Sequence, residues 1–289
     1  MVMKIIGFIG TGIMGRSMAF HLLNAGYSLS VHTRTKAKAD RLIEHGAEWK
    51  NSVAELSADS DAVISIVGSP DDVRNIYLGD DGVLNNAREG TFIVDMTTSD
   101  PRLAIEIHKS AIDRRMHALD APVSGGDVGA RNASLTIMAG GDPGTFRRML
   151  PVFETMGRNI SHMGPAGSGQ HAKMVNQIAI ATCMIGVCEA LSYARHSGLD
   201  GMETLQCIES GAAGSWSLSN YGPRILNEDY SPGFSVKHFI KDMKIALDCA
   251  EDMGLQFRGL NLARELYEKL AFEHGEDLGT HALYKVVQA

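Results

Sequence analysis

The sequence predicts a doubly wound α/β domain followed by an all-helical domain joined to it by a long helix. Three observations predict it. Short apolar runs alternate with helical stretches through the first half, a G-x-G-x-x-G turn closes the first of those runs, and strand signal nearly vanishes after residue 165. Strand–helix alternation of this kind argues for a parallel sheet covered on both faces. At 289 residues the chain has room for two domains of ordinary size, expected at 1–165 and 166–289.

The elements follow in order. Residues 4–10 and 28–32 read as strands, with a helix between them ending near Gly26. Apolar runs recur at Ala62–Val67, Phe92–Asp95 and His117–Asp120, and helical stretches at Lys36–His45, Asp71–Leu78 and Pro101–Arg115 fall between them. Two more short strands, Ser134–Ala139 and Asn159–Met163, flank a helix over Thr145–Gly157. The run Gly164-Pro165-Ala166-Gly167-Ser168-Gly169 is a turn. No proline interrupts the chain from Ser168 to about Ser197, which predicts one helix of roughly 30 residues and about 45 Å, closed by Gly198 in the position of a C-terminal cap. Further helices are expected at Gly201–Ser210, Val236–Met253, Leu260–Glu273 and Gly279–Val287.

Charge and composition exclude several classes. With 27 Lys+Arg against 34 Asp+Glu, the net charge is −7, and no basic face suited to nucleic acid is visible. The basic cluster Arg34 to Arg41, with Lys36 and Lys38, suits a single phosphate. No uninterrupted apolar run reaches the roughly 18 residues of a membrane span. The apolar start runs straight into the glycine turn without a cleavage site, so it reads as a strand and the expected location is cytoplasmic. Cys183, Cys188, Cys207 and Cys249 lack zinc or disulfide spacing; reduced thiols and no metal site are expected.

The glycine turn is the first chemical signal. Gly10, Thr11, Gly12, Ile13, Met14 and Gly15 follow a strand and open a helix. Glycines there permit a tight turn, backbone approach to a pyrophosphate, and close helix–strand packing. The helix N-terminus supplies unpaired N–H groups and partial positive charge. A bare match also occurs in turns without ligand; its place in the first strand–helix unit is what points to dinucleotide binding in a Rossmann-type domain. An NAD site usually carries Asp or Glu about 20 residues on. Here the chain reads Val31-His32-Thr33-Arg34-Thr35-Lys36, without a carboxylate. Arg34 can stack on adenine and pair with a 2′-phosphate, and Thr33 and Thr35 can add hydroxyls. NADP is therefore expected over NAD; the alternative is a solvated helix start. Val67, Gly68 and Ser69 end another strand and are expected to line the cofactor. Thr98 lies just past a strand's C-terminal end, the edge where doubly wound sheets bind ligands.

Four motifs then carry a resemblance. The glycine turn is followed by Met18-Ala19 and Ala25-Gly26. Asp120-Ala121-Pro122-Val123-Ser124-Gly125-Gly126 comes next, then Gly167-Ser168-Gly169-Gln170-His171-Ala172-Lys173-Met174-Val175-Asn176-Gln177, and last Lys241-Asp242. The chain resembles the β-hydroxyacid dehydrogenase family, which includes 3-hydroxyisobutyrate dehydrogenase, tartronate semialdehyde reductase and the glyoxylate/succinic semialdehyde reductases. The resemblance runs nearly end to end and does not name the substrate.

It implies that Lys173 gives a proton to the carbonyl oxygen during reduction and removes it during oxidation. The chemistry suits an ammonium, because hydride arriving at an aldehyde carbon leaves negative charge on oxygen. Lysine in a low-dielectric cleft can also have its pKa lowered. Without the family, Lys173 would read as a surface lysine. Asn176, three residues on and on the same helix face, is implied to hold substrate or orient the lysine. Gln177 stands where many relatives have a second asparagine. Ser124, Gly125 and Gly126 are expected to expose backbone N–H groups and a hydroxyl to the substrate carboxylate; the plainer reading is a structural turn. The resemblance places Thr98 near the nicotinamide, Lys241 over the cofactor and Asp242 close to the reacting groups. Trp216 and Asn220 are candidates for lining the substrate pocket, with a core tryptophan as the alternative. His21 stands where the family usually has asparagine. His171 reads as an interface residue, and the sequence assigns no role to His238.

The expected activity is NADP-linked interconversion of a short β-hydroxyacid and its semialdehyde. The competing readings are a non-catalytic NADP-binding sensor or scaffold, a 6-phosphogluconate dehydrogenase-type enzyme and an imine reductase-type enzyme. The sensor has no need of Ser124, Lys173, Asn176 and Asp242 together, and imine reductases usually lack the lysine. A methyltransferase would want an acid after the second strand. Apolar stretches in the long helix predict a homodimer or homotetramer, and the Gly164–Gly169 turn is a candidate hinge.

Overall fold

The structure, a computed structural model, describes residues 3–288. Its first part runs β1 (Ile5–Ile9), α1 (Ile13–Asn24), β2 (Ser28–His32), α2 (Asp40–Glu44), β3 (Glu48–Trp49), α3 (Val53–Ala58), β4 (Ala62–Ser65), α4 (Pro70–Leu78) and α5 (Val83–Asn86). It continues with β5 (Phe92–Asp95), α6 (Pro101–Asp113), β6 (His117–Asp120), β7 (Val123–Ser124), α7 (Gly126–Arg131), β8 (Leu135–Gly141), α8 (Pro143–Phe153) and β9 (Gly157–Gly164). The strands form one sheet in the order β3-β2-β1-β4-β5-β6-β8-β7, with β9 paired to β8. All pairs from β3 to β6 are parallel. β8 then runs antiparallel to β6 and β7 and parallel to β9, so the expected parallel sheet carries a mixed extension.

Side chains alternate across this sheet as strand geometry requires. Ile64 and Val94 join Met18 and Leu22 in one core, while Val63 and Ile93 join Tyr77 and Leu103 in the other. Burial on both faces explains why these strands read as unbroken apolar runs. Helix starts are set by local chemistry. Ser52, Ser69, Asp100, Asp142, Asp200 and Ser215 each accept a backbone N–H in the first turn of the helix that follows, a cap worth about 1 kcal/mol. Pro70, Pro101 and Pro143 sit in first turns, where the missing N–H costs nothing.

The remaining elements are α9 (Ser168–His196), α10 (Gly201–Ile208), α11 (Trp216–Leu226), α12 (Val236–Asp252), α13 (Arg258–His274) and α14 (Tyr284–Val287). By contacts the chain divides into two units, the first ending at Lys173 and the second beginning at Met174. α9 is long and apolar enough by composition to cross a membrane, with a mean hydropathy of 1.6 over 18 residues. In the second unit that apolarity serves packing: Ala181, Met184, Cys188 and Leu191 are buried with Phe239, Met243 and Tyr267.

Several elements differ from expectation. The helix expected over 36–45 is a 3₁₀ turn at Lys36–Lys38 followed by the five-residue α2; two lysines at a helix start oppose the helix dipole. α8 begins earlier than expected, at Pro143, because Asp142 caps it, and it ends at Phe153. α11 was not expected, since Gly222 and Pro223 mask its periodicity. The segment before α14 is a 3₁₀ turn, Thr280–Leu283, whose Thr280 carbonyl accepts from the Tyr267 hydroxyl at 2.9 Å.

Candidate active site

β1 lies between β2 and β4, and the connection leaving β1 runs to β2 while the one leaving its neighbour β4 runs to β5, in opposite directions. Ligands of doubly wound sheets bind in the crevice at such a switch point. The two loops there are tightly packed. Gly10 has φ +96°, and a Cβ on it would stand 2.1 Å from the Ile66 carbonyl oxygen; one on Gly15 would stand 1.9 Å from the Gly10 oxygen. Gly12 is the opposite case. It is the α1 N-cap, is exposed, and has nothing within 4 Å of its Cβ position. The Thr11 hydroxyl is buried without a hydrogen-bond partner, which calls for a ligand or an ordered group. A crowded backbone turn, one open glycine and a helix N-terminus fit a dinucleotide pyrophosphate. Ile13 is exposed and Met14 half-buried at the start of α1.

The end of β2 presents Thr33 half-buried and Arg34 and Thr35 exposed. Arg34, with 85% of its side chain exposed, pairs with Asp72 at 3.2 Å. Asp72 is in the first turn of α4, where its N–H donates to Ser69 Oγ at 3.1 Å. The Ser69 hydroxyl thus accepts as the cap of α4, and its O–H is left to donate elsewhere. The Val67 N–H donates to Thr97 Oγ1 at 2.9 Å and ties the loop after β4 to the loop after β5.

Beneath that edge lie two carboxylates in register, Asp95 and Asp120, at the ends of β5 and β6. Asp95 Oδ1 accepts from Ser65 Oγ at 2.9 Å and from the Thr97 N–H at 3.1 Å, and Tyr77 bonds Ser65 at 2.8 Å. Burial pushes Asp95 up to about 6, against those hydrogen bonds, and Asp120 pushes the same way. Burial also raises Asp120, although its carboxylate accepts N–H groups of Gly167 at 2.8 Å and Gln170 at 2.9 Å. Gln170 is fully buried; its Oε1 accepts the Ser99 N–H at 2.9 Å and its Nε2 donates to the Thr97 carbonyl at 2.8 Å. Lys173 follows on the same helix and is 6% exposed. The expected surface alternative for this lysine does not hold.

Ser124 does not lie in an open loop. It ends β7 opposite Thr136, and Gly125 and Gly126, with φ +124° and +62°, turn the chain into α7. A strand end leaves only a short turn here because the six-residue α7 begins at Gly126. His21 Nε2 donates to the carbonyls of Ala130 and Arg131 at the end of α7, at 2.9 and 3.1 Å. It therefore joins α1 to the helix that follows Ser124.

In the second unit four polar residues form a chain. Asn176 Nδ2 donates to Gln177 Oε1 at 2.7 Å, Gln177 Nε2 donates to Asp242 Oδ2 at 2.5 Å, and Lys241 Nζ lies 3.0 Å from Asp242 Oδ1. Gln177 and Asp242 are buried. Gln177 is thus the link of the chain. Trp216 is 53% exposed and its ring meets Tyr221 edge-on at 5.1 Å, so it is not a core tryptophan. Asn220 caps back to the Trp216 carbonyl at 2.9 Å. Burial lowers the His238 imidazole, and Lys241 lowers it further.

Residues 5–164 match the model of the NAD binding domain of 6-phosphogluconate dehydrogenase, and residues 167–287 match that of the NAD-binding region of NADP-dependent 3-hydroxyisobutyrate dehydrogenase. The chain is 50% identical to a probable 3-hydroxyisobutyrate dehydrogenase-like protein, mitochondrial, of Arabidopsis thaliana, over 96% of this chain and 83% of that one. This chain belongs to the β-hydroxyacid dehydrogenase family. Another member, an NAD-dependent L-serine dehydrogenase of Pseudomonas aeruginosa, is 38% identical over 93% of this chain and 92% of its own. The solved structure of Mycobacterium tuberculosis 3-hydroxyisobutyrate dehydrogenase with L-serine matches with a TM-score of 0.90 and 33% identity, covering 99% and 100% of the two chains. Like its relatives in this family, the protein is an NAD(P)-binding oxidoreductase acting on a CH–OH group. Sequence reasoning missed Asp95, Asp120 and Gln170. Gln170 was visible inside the lysine motif, but its two backbone partners lie 71 and 73 residues away, a separation no spacing rule reads.

Proposed function

We propose that the protein interconverts a short β-hydroxyacid and its semialdehyde with NADP, and that Lys173 is its general acid and base. The observation that carries this reading is a lysine 6% exposed on α9, one helical turn past the segment joined to the ends of β5 and β6. Bound cofactor supplies or accepts the hydride. Hydride added to the aldehyde carbon places the electron pair of the C=O π bond on oxygen, and the Lys173 ammonium delivers the proton that makes the hydroxyl. In oxidation the neutral amine takes that proton back as hydride leaves the carbon. Ser124 and the Gly125–Gly126 turn hold the substrate carboxylate, and Thr98 stands on the nicotinamide side. In the second unit, Asn176 serves the substrate or the lysine, and Lys241 and Asp242 complete the polar set.

Preference for NADP rests on Arg34 and on the absence of a carboxylate among Val31–Thr35. Engaging a 2′-phosphate takes Arg34 away from Asp72 or shares it between the two. Exposed Val175 and Tyr193 on α9 and Phe272 on α13 support a homodimer or homotetramer; a monomer by light scattering at working concentration would remove that part. The activity is tested by following reduced-nicotinamide absorbance with NADPH and NADH against glyoxylate and the succinic, methylmalonic and tartronic semialdehydes, and in reverse with 3-hydroxyisobutyrate and L-serine. Turnover favouring NADPH supports the reading. Equal use of NADH removes Arg34 as the discriminator, and tight NADPH binding with no turnover of any compound favours a sensor.

A further inference from the structure

We propose that Gln170 is a positioning residue that locks the loop carrying Thr98 to the helical turn carrying Lys173; this rests on the reading of Lys173 as the proton donor. Its carboxamide bonds the two backbone groups that flank Thr98, accepting from Ser99 N–H at 2.9 Å and donating to the Thr97 carbonyl at 2.8 Å. One side chain thus fixes the loop from both sides, as a neighbouring strand would. It is fully buried, so no bulk water competes for those bonds, and they are strong in a low-dielectric setting.

The other end of Gln170 is equally constrained. Its own N–H and that of Gly167 donate to the two oxygens of Asp120, at 2.9 and 2.8 Å. These are unpaired N–H groups at the start of α9, and a carboxylate there is favoured by the helix dipole. Gly169, between them in the chain, leaves no slack: a Cβ on it would stand 2.4 Å from the Met138 carbonyl oxygen. The helix start therefore cannot slide along β6 and β8. Lys173 is three residues beyond Gln170 and shares its helix face. The two-point hold on Thr98 and the pinned turn beneath Lys173 meet in a single side chain.

Gln170→Met keeps the length and removes both bonds; Gln170→Glu keeps the acceptor for Ser99 and loses the donor to Thr97. Both are measured in the full chain with NADPH and the panel compound of highest turnover, beside Lys173→Ala. In Gln170→Met we expect kcat to fall about 30- to 100-fold, the scale of a 1 Å misplacement, with KM changed far less than kcat. NADPH affinity stays close to native, the kcat–pH limb set by Lys173 moves, and the Ser99 amide exchanges faster with solvent. Gln170→Glu regains part of kcat and of the Ser99 protection. A variant that loses thermal stability while kcat per folded enzyme and its pH limb stay native overturns the proposal and leaves Gln170 a buried structural residue. Native Ser99 exchange in Gln170→Met overturns it too, and needs no substrate. If Lys173→Ala keeps native turnover, the reading of Lys173 fails; if Lys173→Ala is inactive and Gln170→Met has native kcat, only the positioning role fails.

Discussion

In the N-terminal unit the polar side chains that join separate elements bond to backbone, Gln170 to Thr97 and Ser99, Asp120 to Gly167 and Gln170, and His21 to Ala130 and Arg131, beside the buried side-chain set of Tyr77, Ser65 and Asp95. In the second unit Tyr267 and His281 also bond backbone carbonyls, but the set beside α9 bonds side chain to side chain, from Asn176 through Gln177 and Asp242 to Lys241. Backbone partners are fixed by the sheet and by the glycine joints, so their geometry is inherited with the fold. A side-chain chain has no such anchor, and exchanging one member changes the next. A dinucleotide-binding half shared by a family suits the first arrangement.

The largest test of that contrast breaks the side-chain chain. Asp242→Ala removes the carboxylate that Lys241 and Gln177 share, and removing one member of a buried pair costs about 3–5 kcal/mol. With 21% of the Lys241 side chain exposed, the loss should fall near the low end, seen in denaturant unfolding; a loss under about 1 kcal/mol would mean that the chain re-pairs easily. The corresponding cut in the first unit is milder in stability but has a pH signature. Burial raises Asp95 from 3.8 to about 6, so the folded state holds its proton more tightly than the unfolded state. That contribution is fully present below pH 3.8, is lost as pH rises through about 6, and amounts to up to about 3 kcal/mol. Asp95→Asn should remove this slope between pH 4 and 6, and an unchanged slope would refute the assignment.

The second unit carries the opposite sign. Burial lowers His281, whose Nε2 donates to the Asp229 carbonyl at 2.6 Å and whose Nδ1 is buried without a partner. Arg224 lowers it too, and Asp229 works the other way. Its stabilising effect is present above the usual imidazole range and is lost as pH falls below it. His281→Phe, which keeps the stacking on Tyr221 and Tyr230, should flatten that acid loss in unfolding curves. The smallest effect is at the cofactor: Arg34→Ala should weaken NADPH binding about tenfold, or about 1.4 kcal/mol, and NADH binding, which loses only the adenine stack, by less.

The two halves were unequally legible. Gly10, Gly12 and Gly15 could be read because backbone crowding and an open phosphate position exclude or spare side chains, and such constraints are written in single residues. The parallel core was legible because strands buried on both faces appear as apolar runs. The antiparallel β8, the strand–helix turn at Ser124–Gly126 and helix α11 were not, since pairing partners and the tolerance of Gly222 and Pro223 depend on distant contacts. The polar chain of the second unit was only half visible. Its members were named one by one, but Gln177 and Asp242 are 65 residues apart, and spacing along one helix says nothing about a neighbour on another.

The most direct test of the account is rapid mixing of Lys173→Ala, preloaded with NADPH, against the compound that the native enzyme reduces fastest. The account predicts near-native NADPH affinity and a hydride-transfer rate lower by about 10²- to 10⁴-fold, the range expected for loss of a general acid. Hydride transfer at the native rate in that variant would contradict it.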